Sequence, residues 1–176
     1  MVKTPARWFT PGRRTPIRVI VIHDMEAPGK STTAEAVARY FAFTDNKVSA
    51  HVCVDDDSAV HCVADHDTAW AAPGANGDGL QLEIAGHARR TREEWLNGLS
   101  RAALVRAAEV VAQWCHAYAI PVMHLSVDQL KSGARGIVGH ADVSAAYRRG
   151  DHTDPGGHFP WEEFLEMVQA AAKADR

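Results

Sequence analysis

The segment "GHADVSAAYRRGDHTDPGGHFPW", residues 139–161, carries three histidines and three aspartates among four glycines. Imidazoles and carboxylates bind divalent cations and carry protons near neutral pH. His140 follows Gly139, and Asp154 precedes Pro155-Gly156, a turn-forming context. Far upstream, His23 stands near the end of the apolar run "RVIVIHDM". Each has an ordinary reading alone: a strand-end polar residue, a loop polar residue, a turn-forming aspartate. Jointly they supply two imidazoles and one carboxylate, the donor set of a catalytic zinc site that keeps a fourth position for water. His158, four residues past Asp154, is an alternative donor in the same loop. His51 and His61 alternate with apolar residues and read as core or wall positions; His66 also has an ordinary reading.

Positioning such donors needs a framework, and the hydrophobic pattern supplies one. "RVIVIHDM" is a β-branched run that reads as a buried strand ending at His23. "KSTTAEAVARYFAF" reads as a helix, with Thr32 and Glu35 as a capping box and Ala34, Val37, Ala38 and Phe41 on one face. "SAHVCVD" and "AVHCVAD" read as a hairpin turning at "DDS". "LQLEIAG" alternates: Gln81, Glu83 and Ala85 fall on one side, Leu80, Leu82 and Ile84 on the other. The stretch "TREEWLNGLSRAALVRAAEVVAQWCHAYAI" holds the longest helix, with Leu104, Ala108, Val111, Cys115 and Tyr118 inward and Pro121 beyond its end. "VMHL" suggests a short strand, and "GIVGHADV" leads from a strand into the histidine-rich loop. "WEEFLEMVQAAAKA" closes the chain as a helix, opened by Pro160. The expected order is β-α-β-β-β-α-β-loop-α: an α/β fold with a central mixed sheet covered by helices.

Composition narrows the function classes. The 176 residues suit a single domain, 1–176, with no linker or repeat. Hydrophobic residues make up 46% and charged residues 23%, ordinary for a globular protein. A net charge of −3 gives no footprint for nucleic acid, and the clusters Arg89, Arg90, Arg92 and Arg148, Arg149 read as solvated faces. No run of about 18 apolar residues marks a membrane span. "MVKTPARWFTPGRR" lacks the apolar stretch of a signal peptide, so synthesis in the cytoplasm is expected. Three cysteines without CxxC spacing argue against a disulfide framework or a thiolate zinc site. Cys53 and Cys62 can face each other across the hairpin, but buried free thiols are the expected state.

"VIVIHDM", "SAHVCVDDDSAVHCVADHDTAWAA", "GLQLEIAG", "IVGHADV" and "HTDPGGHFPW" occur in the order found in the zinc-dependent N-acetylmuramoyl-L-alanine amidases. This amidase-2 family is related to peptidoglycan-recognition proteins and supplies catalytic modules of phage endolysins. The chain resembles it over roughly residues 16–168. The resemblance implies that His23, His140 and Asp154 bind Zn2+. It implies that Glu83, in "LQLEIAG", is the general base for zinc-bound water, whose pKa of ~7 suits a carboxylate acceptor. It also implies that Trp70, in "TAWAA", forms a cleft wall contacting substrate; a structural tryptophan is the alternative.

Two departures from the family pattern stand out. Many members carry a lysine two residues before the Asp or Cys ligand, where it steadies the oxyanion. Here His152 stands there, and its charge varies with pH. Loss of one such donor costs about 10²–10³ in turnover. Some members also carry a tyrosine just before the histidine of the first hairpin strand, where this chain has Ala50. The resemblance implies a monomer that cleaves the N-acetylmuramic acid–L-alanine amide of peptidoglycan, as a phage endolysin acting on the cell wall after release. A non-catalytic peptidoglycan-binding module and a cytosolic muropeptide-recycling amidase are the alternatives.

Overall fold

The computed structural model describes residues 2–174. A six-stranded mixed sheet forms the centre of the fold. Its strands are β1 (Val2–Lys3), β2 (Val19–Asp24), β3 (Val52–Val54), β4 (Ala59–His61), β5 (Gly79–Ile84) and β6 (Gly136–Gly139). They lie in the order β1-β4-β3-β5-β2-β6, and only the β3–β4 hairpin is antiparallel. The helices are α1 (Thr33–Phe43), α2 (Arg92–Trp95), α3 (Gly98–Ala117), α4 (Val127–Lys131), α5 (His140–Tyr147) and α6 (Trp161–Ala174).

Strand alternation divides the sheet into two unlike faces. Ile20, Ile22, Val52, Val54, Leu80, Leu82 and Ile84 all point to one side. There they pack on Leu104, Ala108 and Val111 of α3 and on Phe164 and Val168 of α6. The other side is covered in two separate pieces. Ala34, Ala38 and Phe41 of α1 sit on Cys53 and Val60, while Val143 of α5 and Leu130 of α4 sit on Val19, Val21 and Val138. Between those pieces the ends of β2 and β5 stay open, and a cleft forms there.

Local differences from the sequence expectations have physical causes. Thr32 stands at the N-cap of α1, but its side chain makes no capping bond. Instead Asp55, just past β3, accepts from the Ala34 N–H at 2.9 Å. Glu35 turns away and accepts from the Ser58 hydroxyl. A tertiary carboxylate thereby replaces the local capping box. The longest helical stretch is broken near Leu96–Gly98, with a Thr91–Glu94 capping box on the short α2. "VMHL" makes only an isolated bridge, His124 to Ile137. Residues 140–147, expected as loop, form α5: Asp142 accepts from the Gly139 N–H at 2.8 Å and secures the first turn. Arg90 is half-buried over the Trp95 ring and donates to the Ala85 carbonyl, so it does not belong to a solvated face. Cys53 and Cys62 are buried and free, with sulfurs 3.9 Å apart across the hairpin.

Candidate metal centre

His23 and Glu83 are register partners at the carboxyl ends of the parallel strands β2 and β5. On the other flank of β2, Gly139 pairs with Ile22, so the next residue, His140, emerges beside His23. Their ring centroids lie 4.6 Å apart. The carboxyl edge of parallel strands is where such sheets gather ligands. Asp154 arrives from the loop after α5, which turns back at Arg148 in a left-handed conformation. Its carbonyl accepts from the Ala141 N–H at 2.8 Å. Two residues on, Gly156 has φ +98° and presses on Ala88, whose carbonyl oxygen would collide with any Cβ there. Glycine at that point lets the loop seat against the segment after β5.

The Asp154 carboxylate spans both imidazoles. Its Oδ2 lies 3.0 Å from His23 Nδ1 and its Oδ1 3.2 Å from His140 Nδ1. One donor atom from each of the three residues lies within 4.8 Å of the others. All three residues are buried. His23 Nε2 lies 2.9 Å from Gln81 Oε1, an acceptor, so Nε2 carries a proton. The space between His23 Nδ1 and Asp154 Oδ2 must then hold a cation, either a proton or a metal ion. This donor set fits Zn2+, with two nitrogens, one carboxylate and an open side toward the cleft.

The charges here are strongly coupled. Burial opposes protonation of His23, but the Asp154 hydrogen bond and the Glu83 charge outweigh it and raise its pKa to about 9. Burial lowers His140. Burial alone would raise the Asp154 carboxyl, yet the two histidines hold it well below the usual carboxylate range. Burial raises Glu83 to about 7, with Asp154 and Asp24 adding to it and His23 opposing. Asp24 is likewise raised by burial to about 7.

A cleft of about 580 Å³ opens over these groups, walled by Val37, Tyr40 and Phe41 of α1 and by residues 151–154. Glu83 lines it, and among the described residues no hydrogen bond reaches its carboxylate. His152 lines it too: it stacks on His140 with centroids 4.0 Å apart, and its Nδ1 lies 3.6 Å from Asp154 Oδ1. His158 is exposed and stands outside the three-donor group. Trp70 stacks on Trp8 at 6.4 Å and donates to the Thr10 hydroxyl, while its neighbour Ala71 lines the cleft. His51 is fully buried and its pKa falls to about 3, through burial and then the Arg13 charge. Ala50 is buried and away from the cleft lining.

Some residues at the site carry no motif. Asp24 follows His23 directly and has a buried Oδ2 with no partner among the described residues. Arg13, outside the cleft lining, reaches the site through His51: its Nη2 lies 2.7 Å from His51 Nε2 and 3.1 Å from the Gly79 carbonyl oxygen. The signal for Gln81 was its side of "LQLEIAG", the side of Glu83; nothing local marks Arg13.

No curated protein sequence matches. The Staphylococcus aureus hydrolase AmiA, solved in complex with its ligand, superposes with a TM-score of 0.75 at 16% identity, over 99% of this chain and 83% of that one. PlyL superposes with a TM-score of 0.61 at 19% identity, over 96% of each chain. An AmpD derivative gives 0.62 at 19% identity, over 95% and 93%. At these identities the likeness establishes the mixed-sheet fold. The sequence profile described as N-acetylmuramoyl-L-alanine amidase matches residues 13–157, a span that runs from Arg13 past Asp154. A match over most of the chain decides the family: this protein belongs to the N-acetylmuramoyl-L-alanine amidases.

Proposed function

We propose that this chain hydrolyses the amide between the lactyl group of N-acetylmuramic acid and the L-alanine of the peptidoglycan stem peptide, using Zn2+ held by His23, His140 and Asp154. The observation that carries the reading is the convergence of two imidazole Nδ1 atoms on the two oxygens of one buried carboxylate, at the floor of a cleft that Glu83 also lines. Bound zinc would supply Lewis acidity, polarising the carbonyl and acidifying water.

The chain's own groups do the rest. Glu83 accepts the proton of the attacking water as the new C–O bond forms, and returns it to the nitrogen as the C–N bond breaks. Its carboxylate has no hydrogen-bond partner among the described residues, which suits a group that must take up and release a proton. His152, when protonated, donates to the developing oxyanion from its place over His140. Ala71 lines the cleft, and its neighbour Trp70 is proposed to contact substrate beyond that margin. The products are a muramic acid carboxylate and a stem peptide with a free alanine amino group.

Digestion of purified cell walls tests this. New alanine amino termini should accumulate, cease after chelation and return with zinc. Walls that release no such termini at any zinc loading would leave the chain a peptidoglycan-binding module. An endolysin setting is the proposed one, supported by the family match and by a fold shared with a Bacillus subtilis endolysin mutant at a TM-score of 0.61 and 15% identity. An endolysin should turn over polymeric walls faster than soluble muropeptides; the reverse order would point to a recycling enzyme. The candidate domain, residues 1–176, is proposed to work as a monomer.

A further inference from the structure

We propose that Gln81 is a positioning residue that locks the ring of His23, so that Nδ1 and not Nε2 faces the ion. The inference rests on the metal reading of the site and adds to it a residue with no place in the ligand set or the proton shuttle.

The geometry is specific. Val21 and Gln81 are register partners on neighbouring parallel strands, so Gln81 lies diagonally behind His23 on the same face. Gln81 Oε1 receives the His23 Nε2–H at 2.9 Å. The amide has only one workable orientation. Its Nε2 donates to the Ala75 carbonyl oxygen at 3.2 Å, and a reversed amide would set oxygen against oxygen there. Gly79 makes room for that carbonyl: a Cβ at 79 would collide with it and lie 2.9 Å from Gln81 Nε2. The Gln81 backbone is held as well. Its N–H donates to His51 Nδ1 at 2.9 Å, and its carbonyl accepts from the His51 N–H at 2.9 Å. Gln81 and His51 are both fully buried, so no water competes for these bonds.

An imidazole that ligates through one nitrogen needs an acceptor for the proton on the other, and that acceptor sets both tautomer and ring angle. Without Gln81 the Nε2–H would be buried and unpaired, which favours rotation of the ring out of its ligating pose.

The test compares wild type, Gln81→Met and Gln81→Glu by zinc affinity, in competition with a chelator, and by long-range 15N NMR of the His23 ring. In wild type, zinc should bind Nδ1 while Nε2 keeps a proton shielded from exchange. Gln81→Met should lose about 10–100-fold in zinc affinity and that shielding. Gln81→Glu, which keeps an acceptor oxygen for the His23 Nε2–H, should hold zinc more tightly than Gln81→Met and close to wild type. Zinc bound through Nε2 in wild type would overturn the proposal, a result that stands even if Gln81→Met does not fold. Equal affinities in wild type and Gln81→Met, or equal losses in Met and Glu, would overturn the Gln81 role alone. A wild type that takes up no zinc would overturn the metal reading beneath it.

Discussion

The two faces of β5 are built from alternate residues of one six-residue strand, yet they are held by opposite physics. Leu80, Leu82 and Ile84 are fully buried against α3 and α6, where close packing and the loss of apolar surface from water stabilise them. Gln81 is just as buried but bonds to His23, and Glu83, almost as buried, faces histidines, a second carboxylate and an open cleft. Burial on the first face yields stability. On the second it yields displaced proton affinities and an unpartnered carboxylate. A change on the first face should therefore appear as folding free energy, and a change on the second as chemistry.

The largest expected effect breaks the second face. Asp154→Ala or His23→Ala should abolish stoichiometric zinc, read by metal analysis; roughly one equivalent retained in both would remove these residues from the ligand set. Next, Glu83→Gln should keep zinc and lose about 10²–10⁴ in turnover, and full activity in that variant would take Glu83 out of the proton path. The first face is broken by Leu82→Ala, which should cost about 2–5 kcal/mol in denaturant unfolding. Cleavage per folded molecule should stay near wild type, and a loss of turnover on the scale of Glu83→Gln would show that the faces are not separable.

Acid sharpens the comparison through His51. Its folded-state pKa is about 3, against about 6.5 for a free imidazole, so the unfolded chain takes up its proton first as pH falls. The stability tied to neutral His51 is complete above pH ~6.5 and is lost on acidification, by on the order of 2 kcal/mol at pH 5. His51→Gln should show a smaller drop in stability between pH 7 and pH 5, and an unchanged drop would place the sensitivity elsewhere. The smallest effect concerns the α1 cap: Asp55→Ala should cost about 1 kcal/mol of stability. Thr32→Ala should cost less, reversing the order that local sequence suggests.

Much of the framework was legible because strand and helix periodicities are local. "LQLEIAG" announces by alternation alone that Gln81 and Glu83 share a side, and the register shows it. Helix α5 is hard to read from sequence because its length is modest and its start relies on Asp142 reaching back to Gly139 in a segment that reads as a turn. The α1 cap departs from the local pattern because Asp55, twenty-one residues beyond Ala34, takes the Ala34 N–H in place of Thr32. Arg13 carried no signal, since its contacts with His51 and Gly79 span 38 and 66 residues.

By itself the sequence determined which side chains can ligate or carry protons, and that Gln81 and Glu83 share a strand face. Those properties follow from side-chain chemistry and from the two-residue and 3.6-residue repeats of the backbone. Only the tertiary structure decided that Asp154, and not His158, meets His23 across 131 residues, and that His23 turns its Nδ1 toward that carboxylate. The strand order β5-β2-β6 and the return of the loop after α5 set those meetings, and neither is encoded in any local stretch of the chain.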